Sequence, residues 1–256
     1  MAMTHDLLAP EGYTGAELVS SSGRGDIYRA KDRAGHQVAI RVLTPQHFVD
    51  AEALEAFARE ARASLRLHHP HIVRSVAAGQ RGDQRYLIME LVDGASLRSR
   101  VADHGPLSER EAMALLAQMA QALGYAWRHG VLHHGVEPAN VLLGPARVGH
   151  REPFCAKLSN FGLSRLRDPG SGAGRAKAVA GNDHRADIHA LAVTVCWSLT
   201  PDKRSDDAGP STLGLDGATI ELMQLLGGML DRERLTTWES VIAAVRHLPG
   251  PKRVRA

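Results

Sequence analysis

The chain has 256 residues, 44% of them hydrophobic and 23% charged, with 31 basic residues against 28 acidic ones for a net charge of +3. This is the balance of a soluble globular protein of one or two domains, and a charge this small gives no ground for nucleic acid or membrane as a partner. Two cysteines, Cys155 and Cys196, make no disulfide framework, no signal-peptide pattern opens the chain, and the longest apolar run, Ala190 to Leu199, is too short to span a bilayer, so a cytoplasmic protein is expected.

Residues 13 to 43 read as three strands separated by glycine turns, because Ile27, Tyr28, Val38, Ile40 and Val42 favour β-structure and partly alternate. A helix from about Asp50 to Leu67 follows, then strands over Ile72 to Val76 and Arg85 to Met89. Gly94 marks the passage to a mainly helical half. There Ser108 and Glu111 form a capping box for a helix that carries Leu115, Leu116, Met119, Leu123 and Trp127 at helical spacing, a stripe expected to be core. Two helices, roughly 217 to 230 and 237 to 247, close this half, and residues 249–256 form a basic tail. There is no internal repeat.

The string His133-His134-Gly135-Val136-Glu137-Pro138-Ala139-Asn140-Val141-Leu142-Leu143 resembles the catalytic loop of protein kinases, H-R-D-L-K-P-x-N-V-L-L. Further matches follow in the family's order. Val38-Ala39-Ile40-Arg41 resembles the V-A-I-K strand, Phe57-Ala58-Arg59-Glu60 the helix with the partner glutamate, and His69-Pro70-His71-Ile72-Val73 the turn after it. Tyr86 to Gly94 is similar to the hinge, Leu158-Ser159-Asn160-Phe161-Gly162-Leu163 stands at the D-F-G segment, and Asp187-Ile188-His189-Ala190-Leu191-Ala192 resembles the helix that anchors the large lobe. The resemblance is to bacterial-type serine/threonine kinase domains with degraded catalytic motifs. It implies an α+β, bilobal protein-kinase-like fold in one domain, 11–248, with a small β-rich N-lobe carrying one long helix (11–92) and a mainly helical C-lobe (93–248). The activation segment reads as truncated, with only 27 positions from Asn160 to Asp187 and no A-P-E string, and the substrate-docking helix reads as missing between Thr200 and Ile220.

Carried over residue by residue, the resemblance puts Gly135 in the slot of the catalytic aspartate and Glu137 in that of the neighbouring lysine. Arg41 takes the place of the strand lysine opposite Glu60, Asn140 matches one metal ligand, and Asn160 replaces the metal-binding aspartate. No metal site is expected. Ser20, Ser22 and Gly25 align with the three glycines of the phosphate loop. Ile27, Ala39 and Leu142 are the implied walls of an adenine pocket, with Met89 behind it and the hinge from Glu90 to Val92 beside it, so ATP is the implied ligand, bound without strong magnesium dependence. His133, Phe161 and Asp187 match the family's structural column. A general base contributes about 100- to 10,000-fold, and each charge-stabilising group about 3 to 4 kcal/mol. On those losses the expected function is a catalytically inactive pseudokinase that regulates or scaffolds an unidentified protein partner. The alternatives are a degenerate serine/threonine kinase with residual ATP-dependent phosphoryl transfer and a nucleotide sensor.

Other features carry less. His68, His69 and His71 fit kinase turns better than a zinc site, and Cys155 reads as a small buried hydrophobe. Ser164 and Ser171 in the activation segment read as flexible-loop residues. Arg234, deprived of its A-P-E glutamate, is expected to find a substitute such as Asp183 or to lie exposed.

Overall fold

The computed structural model describes residues 10–22, 25–43, 51–146, 149, 152–161, 184–201, 218–231 and 234–248. The shortened activation segment with Ser164, Ser171 and Asp183, the interval from 202 to 217 and the basic tail lie outside the described residues. Two compact units emerge, the first holding five strands and one helix, with Val92 and Asp93 on either side of the main division and His69–Ile72 assigned to the second.

In the first unit, β1 (Thr14–Ser22), β2 (Gly25–Lys31), β3 (Gln37–Leu43), β4 (Ser75–Arg81) and β5 (Gln84–Glu90) make an antiparallel sheet in the order β1-β2-β3-β5-β4, joined by helix α1 (Ala51–Ser64). Register sorts its side chains, since residues directly opposite share a face and neighbours along a strand alternate. Tyr28 pairs with Ile40 and Ile40 with Ile88, so these fall on one face with Ala30, Val38 and Val42 and form a buried cluster that Tyr13, Ala16, Ala77 and Tyr86 pack against. Ile27 pairs with Arg41 and Ala39 with Met89, which puts all four on the opposite face. At Gly25, φ is +116° and a Cβ would run into the backbone carbonyl of Val42, so only glycine fits.

One strand is misplaced by the sequence reading. Ile72 makes only an isolated parallel bridge, to Leu158, and its N–H donates to the His69 carbonyl in a turn, whereas the strand itself runs from Ser75 to Arg81. Ile72 and Val73 are apolar because they fill the interior, at 2% and 6% exposure, and the poorer β-formers after them are held by their ladder to β5.

The second unit contains β6 (Ala95–Ser96), α2 (Leu97–His104), α3 (Glu109–Arg128), β7 (Val141–Gly144), β8 (Cys155–Leu158), α4 (Arg185–Leu199), α5 (Ile220–Leu230) and α6 (Trp238–Arg246). Helix α3 starts at the expected capping box: the Glu111 N–H donates to Ser108 Oγ and the Ser108 N–H to Glu111 Oε2. Leu115, Leu116, Met119 and Leu123 are buried, while Trp127 is half-buried with its ring 4.7 Å from that of His184. A Cβ on Gly124 would come within 3.3 Å of Trp238 Cβ, so the bare helix face there admits α6 at close range. Both cysteines are buried, and burial pushes the Cys196 thiol up to about 12, which leaves it a packing residue. Arg234 is exposed. Among the described residues no helix is long and apolar enough to cross a membrane.

Candidate active site

The loop from His133 to Asn140 lies between α3 and β7, and its shape is dictated by buried hydrogen bonds within the second unit. Asp187, in the first turn of α4 and 2% exposed, receives the N–H of His133 on Oδ2 at 2.7 Å and the N–H of His134 on Oδ1 at 2.8 Å. Two charge-assisted bonds from one carboxylate brace consecutive peptides, which holds His134 at φ +58°, a conformation that costs an L-residue about 1 kcal/mol or more.

His133 is fully buried. Its Nδ1 accepts the Gly135 N–H at 3.2 Å, so Nε2 carries the ring proton and donates it to the Ser159 carbonyl at 2.8 Å. Burial lowers its pKa below the ordinary 6.5 and outweighs the opposing pull of the Asp187 carboxylate, keeping the imidazole neutral. Above pH 6.5 the ring is neutral in both folded and unfolded chains; as the pH falls below 6.5 the unfolded ring takes a proton that the folded one refuses, and stability is lost until the folded pKa is reached. We expect denaturant titrations carried below pH 6.5 to show His133→Gln losing less stability on acidification than the wild type. Equal pH slopes would contradict this assignment of the neutral ring.

Asn140, 3% exposed, ties the rest together. Its Nδ2 donates to the Gly135 carbonyl at 2.7 Å and to Glu137 Oε1 at 3.2 Å, and its Oδ1 accepts from Asn160 Nδ2 at 2.6 Å. The Asn140 carbonyl receives both the N–H and the Oγ of Ser159. Asn160 sits at φ +70°, which asparagine tolerates better than most residues. An amide hydrogen therefore faces the one side-chain oxygen that the resemblance marks as a metal ligand. Magnesium is usually held through one or two carboxylates together with substrate phosphates, and neither asparagine offers that charge. Among the described residues no group of three or more His, Cys, Asp and Glu is placed to hold a metal. The residues present do not fit magnesium in the manner the family uses.

The sequence-derived residues thus fall into two sets. In the second unit Gly135, Glu137, Asn140 and Asn160 are brought into one hydrogen-bonded cluster, and Leu142 lies half-buried on β7. In the first unit Ile27, Ala39, Arg41 and Met89 share one sheet face, with Ala39, Arg41 and Met89 each 6% exposed. Glu60 is half-buried on α1, and Val92 is half-buried. Glu90 is tied inside this unit, its N–H donating to the Arg74 carbonyl and its Oε1 accepting the Arg74 N–H. Phe161 is buried. His69 and His71 are engaged in the turn, where the His71 N–H donates to His69 Nδ1 and His71 Nδ1 lies 2.9 Å from the Ala156 carbonyl.

Sequence reasoning missed the supporting residues. Gln118 on α3 reaches β8, donating to the Phe154 carbonyl and accepting the Ala156 N–H, and Thr194 Oγ1 donates to the Val136 carbonyl. The available signal was a glutamine one residue from the apolar stripe of α3, since a buried polar side chain must find partners.

The β-sheet unit and the helical unit, with this loop braced by Asp187, define the bilobal protein-kinase fold. The protein kinase domain family matches residues 13–187, and the chain belongs to that family. It is 32% identical over 205 residues to the serine/threonine-protein kinase PknD of Mycobacterium tuberculosis, covering 74% of this chain and 30% of PknD. It is 34% identical over 208 residues to PknH of Mycobacterium bovis, covering 75% of this chain and 34% of PknH. The chain thus spans about a third of the length of these curated relatives. The crystal structure of the Mycobacterium tuberculosis PknI kinase domain superposes with a TM-score of 0.76 at 28% identity, over 92% of this chain and 96% of that one. These names correct the expectation of a catalytically inactive scaffold, because the relatives the chain matches are serine/threonine-protein kinases.

Proposed function

We propose that this domain is a serine/threonine protein kinase whose altered motifs leave a residual ATP-dependent phosphoryl transfer. The observation that carries the reading is the braced loop: Asp187, His133, Ser159 and Asn140 hold residues 133–140 in one hydrogen-bonded shape, and a kinase relies on positioning and electrostatics more than on covalent chemistry. In this reading the first unit's Ile27, Ala39 and Met89 face the adenine, backbone groups of Glu90 and Val92 orient it, and Arg41 supplies a cation to the phosphates in place of lysine. Arginine keeps the charge but not the shape of the lysine it replaces, so the rate is low. Magnesium adds little to ATP affinity, since Asn140 and Asn160 bring no charge to it. The acceptor is a serine or threonine hydroxyl of a protein partner, and the proposed setting is the cytoplasm, which supplies ATP.

The test is transfer from γ-labelled ATP to protein serine or threonine in magnesium or manganese buffer, with Arg41→Ala as the control. Incorporation that falls to background in Arg41→Ala supports the reading. Incorporation no greater than in a reaction without the protein overturns it.

A further inference from the structure

We propose that Glu137 is the proton acceptor for the substrate hydroxyl, in the part that Gly135 has no side chain to play. The inference rests on the kinase reading above and concerns how that same site works.

Three observations place the carboxylate. Asn140 Nδ2 bonds both the Gly135 carbonyl and Glu137 Oε1, so one buried nitrogen fixes the backbone at 135 and the carboxylate two residues on as neighbours. The chain on either side is pinned: Val136 is buried and its carbonyl accepts from Thr194 Oγ1, the Glu137 carbonyl accepts the Asn140 N–H, and the buried Pro138 accepts the Arg98 N–H on its carbonyl. Glu137 itself is half-buried, so its carboxylate keeps some exposure to solvent while the loop holds it.

The neighbouring groups are less suited. Asp187 has both oxygens engaged by the His133 and His134 N–H groups and is 2% exposed. Both ring nitrogens of His133 are engaged, by Gly135 and Ser159, and Asn160 is an amide. His134, half-buried, is the other titratable side chain in the loop and serves as the internal competitor.

In the step, the substrate hydroxyl oxygen forms a bond to the γ-phosphorus, and the bond from that phosphorus to the β–γ bridging oxygen breaks. ADP leaves with that electron pair, and the hydroxyl proton passes to the Glu137 carboxylate.

Glu137→Gln keeps an oxygen for Asn140 and removes the basicity. We expect its kcat for transfer to fall about 100-fold or more, with KM for ATP and melting temperature unchanged. Gly135 is not at positive φ, so its backbone conformation admits an aspartate, and Gly135→Asp in the Glu137→Gln background should restore transfer. Transfer at the wild-type rate in Glu137→Gln, or its loss in His134→Gln with Glu137→Gln unaffected, overturns the proposal. Absence of transfer in the wild type removes the kinase reading, and the role of Glu137 falls with it.

Discussion

Replacing Asp187 by alanine is expected to lower stability by about 3 to 5 kcal/mol, because two backbone N–H groups, those of His133 and His134, lose a charged acceptor at once. His133 is fully buried, so water cannot replace the acceptor on its side. The strained conformation of His134 then loses its restraint as well. A melting temperature roughly 10 °C below that of the wild type is the corresponding calorimetric result. Asp187→Asn retains one acceptor oxygen but turns an NH2 toward a peptide N–H, so its loss should be smaller than that of alanine yet well above zero. A change of less than about 1 kcal/mol for Asp187→Ala would mean that the loop is held by something other than this carboxylate.

Asn160→Asp is expected to make the domain respond to magnesium. In the wild type Asn160 Nδ2 donates to Asn140 Oδ1 at 2.6 Å, so the substitution sets a carboxylate oxygen against a carbonyl oxygen. Without a cation between them the two oxygens repel, and the variant in chelator should be less stable than the wild type by about 1 to 3 kcal/mol. With the cation present the carboxylate and the Asn140 oxygen become ligands together, and a hundredfold excess over Kd returns about 2.7 kcal/mol. Thermal melts with and without magnesium should therefore separate for Asn160→Asp and coincide for the wild type. Coincident curves for both proteins would show that the cluster does not form as described.

What the sequence made legible follows from how each signal arises. The three N-terminal strands, the Ser108–Glu111 capping box and the stripe of α3 are local patterns with fixed periods, and each appears where its period placed it, except that Trp127 at the end of the stripe is half-buried. The start of β4 did not, because Ile72 and Val73 are apolar for burial and the ladder lies beyond them. In the site, the residue types at 135, 137, 140 and 160 were legible, but which atom of each amide faces which neighbour is set by contacts between segments 20 residues apart. The inactive reading came from the joint loss of the family's aspartates, lysine and phosphate-loop glycines, and it is the names of the relatives that overturn it. A site functions as a set, and losses within a set do not add. Glu137 illustrates this: read by slot it is a lysine turned into an anion, whereas in the fold it is a carboxylate that Asn140 holds beside Gly135.

The most direct measurement is a single-turnover reaction of the purified domain in excess over γ-labelled ATP, with the label mapped by mass spectrometry. The expected result is slow transfer to serine or threonine hydroxyls by the wild type, no transfer by Arg41→Ala, and a rate in Glu137→Gln reduced about 100-fold or more. Labelled phosphate that stays on ATP over hours in the wild type, at protein concentrations where ATP is bound, would contradict it.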